Sequence, residues 1–220
     1  IKTSSYAISN ETSGLVEISG GTINGLSGII NKAEGTVRII DGTIEVSGYD
    51  SRLITNEGTG KIEIIDGTVK TYGRYSRGIE NNSTGEVIIQ GGTVGEYPNT
   101  NMGSNQKTIV NKAGTLKITG GTIEAGEYGE NAIYNESGNV EISNAKIKSN
   151  SYATATIENK TGTIKITSVE IETTTQYSAN YPAIKNTETG SIEIQGGTIT
   201  NTKGEGISVK KGEVKVLGGT

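Results

Sequence analysis

Apolar and polar residues alternate at period two along the whole chain, in short runs broken by Gly-rich corners. Runs of this length are too short for helices and read as strands. They also recur. A phrase of the form Ile-x-Asn, then Gly-x-Val-x-Ile, then Gly-Gly-Thr-Ile starts at Ile8, Ile29, Ile54, Ile79, Ile109, Ile133, Ile157, Ile184 and Ile207. Successive starts are about 25 residues apart, and each copy holds three short strands. One such copy cannot bury its own apolar face, so copies must stack on one another. The pattern predicts an all-β, single-domain parallel β-helix, a β-solenoid spanning 1–220 in about nine coils of three strands each. One strand spacing per coil gives a rod of roughly 40 Å.

Two columns test that register. The Asn two residues after each first Ile shares its inward face, which places Asn10, Asn31, Asn56, Asn81, Asn111, Asn135, Asn159 and Asn186 in one stack. Val209 ends it in the last coil. An amide carries donors and an acceptor, so stacked copies can bond to each other and to turn backbone. The outward column reads Glu17, Arg38, Glu63, Ile88, Lys117, Glu141, Lys165, Glu193 and Lys215. Apart from Ile88, neighbouring coils carry opposite charges, the arrangement that adjacent strands favour. Corner glycines are expected to supply positive φ.

Composition narrows the chemistry. Apolar residues make up 31%, with no Phe, Trp, Cys or His, so the interior must be built from Ile, Val, Leu and Ala. Disulfide scaffolds, Cys/His zinc sites and His-dependent catalysis are excluded. A net charge of −4 argues against nucleic acid as a partner. No run approaches the 18 or so apolar residues of a membrane span, so no membrane insertion is expected.

The stacked Asn corner, the Gly-punctuated three-strand coil and the aliphatic interior resemble the parallel β-helix of the pectin-lyase-like superfamily. The wording Gly-Gly-Thr-Ile followed by Ala132-Ile133-Tyr134-Asn135-Glu136-Ser137-Gly138 is similar to repeats of secreted or wall-attached surface proteins of Gram-positive bacteria. The resemblance covers the whole chain. It implies a right-handed coil and a secreted or cell-surface setting, and says little about activity.

Length variation falls on one edge, between the third strand of a coil and the first Ile of the next, the kind of edge where solenoids bind. Eight of the ten tyrosines lie there: Tyr49, Tyr72, Tyr75, Tyr97, Tyr128, Tyr152, Tyr177 and Tyr181. A tyrosine offers a flat apolar face with a hydroxyl, suited to stacking on sugar or anchoring a protein; the competing reading is a column that seals the coil. All four Arg (Arg38, Arg52, Arg74, Arg77) and all three Asp (Asp41, Asp50, Asp66) fall between residues 38 and 77, in coils 2 and 3. Arg52, Arg74 and Arg77 join the candidate ligand-binding set. The resemblance implies that lyases of this fold hold Ca²⁺ with carboxylates and abstract a proton with a basic residue. Asp41 and Asp66 are the weak candidates for such a metal, but Asp-Gly is also an ordinary turn dipeptide.

The expectation is therefore a non-enzymatic stalk or adhesin domain without a cofactor, binding polysaccharide or a host or partner protein along the Tyr-rich edge. The alternatives are an acidic-sugar binding or lyase-like domain centred on coils 2 and 3, and a purely structural spacer. The lack of capping elements suggests a fragment of a longer protein, or end-to-end contact through open coil ends.

Overall fold

The computed structural model describes residues 1–73, 75–96, 106–126, 129–150, 154–174 and 180–220. Among them every regular element is a strand, and each strand pairs in parallel with its counterpart one coil away. This is the parallel β-solenoid that the repeat implies. The second strands, from Leu15–Ile18 through to Glu213–Val216, stack into a nine-stranded sheet. First and third strands merge into one 16-stranded sheet, because Thr22–Asn31 runs unbroken from a third strand into the next first strand.

The alternation sorts side chains inward and outward in the second and third strands of the middle coils, whereas the first strands bury successive residues, as in Leu53, Ile54, Thr55 and Asn56. Val37, Ile39, Ile44, Val46 and Ile54 are at most 1% exposed, as are their counterparts Ile62, Ile64, Val69 and Ile79. Like stacks on like: Ile29, Ile54, Ile79, Ile109, Ile133, Ile157 and Ile184 form one file through the rod. Each fully buried Ile contributes about 1.5–3 kcal/mol relative to exposure. Among the described residues the buried apolar side chains are Ile, Val, Leu and Ala alone.

The Asn column is a continuous ladder. The Nδ2 of each Asn donates to the Oδ1 of the next, at 3.0 Å for Asn10 to Asn31, 3.1 Å for Asn56 to Asn81 and 2.8 Å for Asn135 to Asn159. The same Nδ2 groups also donate to corner carbonyls, such as Asn31 to Gly35 and Asn186 to Gly190. At the break in the last coil, Asn186 Nδ2 donates instead to the Lys211 carbonyl, 2.9 Å away. In the outward charge column Arg38 lies 2.7 Å from Glu63 and 3.5 Å from Glu17, and the register carries the alternation on through Lys117, Glu141, Lys165, Glu193 and Lys215.

The corner glycines divide in two: Gly42, Gly67, Gly92 and Gly121, between second and third strands, have the expected positive φ, as do Gly114 and Gly212 beyond the Asn ladder. Beyond the Asn ladder, Gly35, Gly60, Gly85, Gly138, Gly162 and Gly190 do not have positive φ. They are required for space: a Cβ on Gly60 would run into the Gly35 carbonyl, and one on Gly85 into the Asn56 amide. Successive coils approach backbone to backbone there, and no side chain fits between them.

Candidate functional site: a basic, tyrosine-flanked corner

The corner that closes coils 2 and 3 is built from two versions of one phrase, Gly48-Tyr49-Asp50-Ser51-Arg52 and Gly73-Arg74-Tyr75-Ser76-Arg77. The two stack, since Arg52 pairs with Arg77 in register. Gly48 and Gly73 begin the turn because their backbones nearly touch: a Cβ on Gly73 would collide with the Gly48 carbonyl. The Ser76 hydroxyl then donates to that same carbonyl, at 3.1 Å. Asp50 and Tyr75 occupy equivalent places and are both left-handed, at φ 51° and 59°. An Asp tolerates that region, whereas a Tyr there is uncommon and costs about 1 kcal/mol or more. The strained turn sets the Tyr75 ring edge-on to Tyr49, with centroids 5.2 Å apart and planes at 66°. Tyr49 is 73% exposed. Tyr49, Asp50, Tyr75, Arg77 and Lys107 line an open groove of about 370 Å³.

Below the groove lies a charge arrangement unlike the rest of the surface. Arg52, Arg77 and Lys107 stand directly above one another on three successive strands. Like charges so placed repel. Glu80, on the adjoining outward column, offsets part of this with a side chain that is 0% exposed. Its Oε2 lies 2.7 Å from Arg52 Nε, its Oε1 accepts a hydrogen bond from Arg77 Nη1 at 2.7 Å, and Lys112 Nζ is 3.7 Å away. Burial works against the charge on Arg52, but Glu80, helped by the Tyr6 hydroxyl and Asp50, outweighs it and holds the guanidinium pKa above its usual value. Lys107 Nζ sits 4.9 Å above the centre of the Tyr134 ring, a cation–π distance.

The structure thus brings together Tyr49, Tyr75, Arg52 and Arg77 from the sequence candidates. It separates others from them. The Tyr72 hydroxyl donates to Glu45 at 3.4 Å, on the face of the third strands. Tyr181 lies at the corner closing coil 7, where its carbonyl accepts from Asn201 Nδ2 at 2.8 Å. Arg74, Tyr97, Tyr128, Tyr152 and Tyr177 lie outside the described residues. Asp41 and Asp66 belong to a different corner, between second and third strands, and each accepts from the amide of its own following glycine, Gly42 at 2.6 Å and Gly67 at 2.8 Å. Among the described residues no three His, Cys, Asp or Glu side chains gather closely enough to hold a metal.

Three participants escaped the sequence reading: Glu80, Lys107 and Tyr134. Lys107 was traceable, since it stands two residues before Ile109 as Arg52 and Arg77 stand before Ile54 and Ile79. Glu80 and Tyr134 lie on outward positions of the first strand that in other coils hold Ile30, Thr55 and Val110, and nothing periodic marks them. No family model matches the chain, and comparison with curated proteins and with solved structures finds no match either. The likeness stated above to pectin-lyase-like proteins therefore holds at the level of the parallel β-solenoid, and the site stands on its own residues.

Proposed function

We propose that this chain is a non-enzymatic binding rod, secreted or displayed on a cell surface, that holds a carbohydrate ligand at the Tyr49–Tyr75 corner. The observation that carries this reading is the aromatic pair itself. An exposed ring braced edge-on by a second ring, the second held there by a left-handed turn, is pre-ordered to receive a flat apolar ligand face. Hydroxyl-rich ligands with an apolar face are sugars, and the groove beside the rings carries the polar groups that would orient one: Asp50, Arg77 and Lys107.

A glycan array probed with the parent chain and with Tyr49→Ala and Tyr75→Ala variants tests the proposal. Binding by the parent and its loss in both variants, with unchanged thermal unfolding, is the expected result. An empty array, or binding indifferent to both tyrosines, overturns it. Release of unsaturated sugar ends from a polyuronate, followed by ultraviolet absorbance, would overturn the non-enzymatic part.

A further inference from the structure

The outward face of the second-strand sheet carries a charge order with a centre. Its middle column runs Glu17, Arg38, Glu63, Ile88, Lys117, Glu141 and Lys165, one residue per coil, with no break in register. Under strict alternation, two coils equally far from any chosen coil carry the same charge. Ile88 is neutral and the next coil brings Lys117, so the alternation slips by one step there. The charges on its two sides are therefore opposite at equal distances: Glu63 against Lys117, Arg38 against Glu141, Glu17 against Lys165. Any other coil taken as the centre holds a charge of its own, and a centre between two coils matches fewer opposite pairs. The two halves also differ in their contacts. Arg38 is paired within the chain, 2.7 Å from Glu63 and 3.5 Å from Glu17. Lys117, Glu141 and Lys165 are exposed and, among the described residues, form no ion pair. They line an open groove of about 270 Å³.

We propose that this face docks a second copy of the chain, sheet against sheet with the rods antiparallel, on a two-fold axis through Ile88. A two-fold interface must be complementary to itself, and a column whose sign reverses about its centre is so. The axis runs along the strands, so each coil on one side of Ile88 meets the coil equally far on the other side. Ile88 meets its own copy, and each charge meets its opposite, every pairing occurring twice. Parallel rods would set each charge against itself, so the column also specifies direction. Facing sheets pack about 10 Å apart, a gap that side chains of this length span. In the flanking columns Glu86 alone meets a like charge, its own copy, and Lys61 neutralises it from 3.3 Å away in the same chain. Ile40, 37% exposed, meets the Ser143 position of the second copy and adds apolar contact. Seven strands by about five residues give a face of roughly 30 by 15 Å. Roughly 900 Å² over both partners places the dimer among weak, reversible associations. The Tyr49–Tyr75 corner lies between strands of the other sheet, so this inference stands apart from the carbohydrate reading.

Sedimentation equilibrium of the chain up to about 1 mM, at low and high salt, tests this. The expected result is a monomer–dimer equilibrium with a dissociation constant of about 0.1 mM at low salt, weakened about tenfold at high salt. Ile88→Lys sets two cations together on the axis and is expected to weaken the dimer at least tenfold. Glu17→Lys and Lys165→Glu each bring like charges together at two places, and each alone is expected to lose about tenfold. An equimolar mixture of those two variants restores opposite pairs between unlike copies and should recover most of the association. Mixing leaves every contact within a chain unchanged, so a merely structural effect of either substitution would not recover; urea unfolding checks that both are folded. The chain has no cysteine. A short bis-maleimide should therefore join Gln90→Cys, which lies on the axis, and not Ser19→Cys, whose copies lie roughly 30 Å apart along the rods. A monomer at every concentration, indifference to salt or to Ile88→Lys, or a mixture no better than its parts each overturns the inference. Growth into open-ended oligomers, the mark of contact through the coil ends, overturns it as well.

Discussion

Arg52 and Arg77 stand directly opposite one another on adjacent parallel strands, and a single buried carboxylate, Glu80, lies 2.7 Å from each. Two like charges in cross-strand register would push the coils apart without it. Replacing Glu80 by Gln is expected to lower unfolding free energy by about 1–3 kcal/mol, less than for a fully buried triad because the cations are partly exposed. Urea unfolding measures it. Adding Arg77→Met to Glu80→Gln should recover part of the loss, and simple additivity of the two changes would show that the contact is inert.

The Asn ladder should fail unevenly along the rod. In the middle, Asn81 Nδ2 donates to Asn111, Gly85 and Ala113, and its Oδ1 accepts from Asn56. Asn81→Ala leaves several buried groups unmet at about 1–3 kcal/mol each, before relaxation. Asn10, the first rung, has one ladder neighbour. Asn10→Ala is expected to cost less than half as much, measured as the shift in thermal midpoint.

Tyr75 sits at φ 59°, where glycine is at ease and a tyrosine is strained. Tyr75→Gly should therefore abolish the proposed sugar binding while leaving stability equal or higher by about 1 kcal/mol. Tyr75→Ala keeps the strain without the ring, so its thermal midpoint should fall below that of Tyr75→Gly. A Gly variant less stable than the Ala variant would show that the turn holds no strain.

Acid should loosen the charge column first. A hydrogen bond from Arg38, ahead of the opposing effect of burial, holds the Glu63 carboxyl below its ordinary value of 4.5. A carboxyl with a depressed folded-state pKa contributes stability that is present above the unfolded value and is lost as pH falls through the folded one. Stability is thus expected to hold near neutrality, where no histidine titrates, and to decline below about pH 4.5. In Arg38→Leu the acid decline should begin from a lower plateau and be shallower, as followed by urea midpoints from pH 7 to pH 3. An unchanged slope would remove Glu63 from the account.

The repeat by itself determined what depends on a coil's neighbours along the axis. Strand positions, the Ile file, the Asn rungs and the alternating charges all follow from residues one period apart, because parallel stacking places each residue on its counterpart. The stacking of Arg52 on Arg77 was legible for the same reason. What the tertiary structure alone decided are the lateral relationships: Glu80 turning beneath Arg52 and Arg77, Lys107 crossing onto Tyr134, and Tyr75 meeting Tyr49 rather than aligning with Tyr72. These depend on how a corner bends, and the corners differ in length and composition from coil to coil. The glycines show the same division. Their recurrence was plain in the sequence, yet the reason for six of them, the close approach of one coil's backbone to the next, exists only once the coils are stacked.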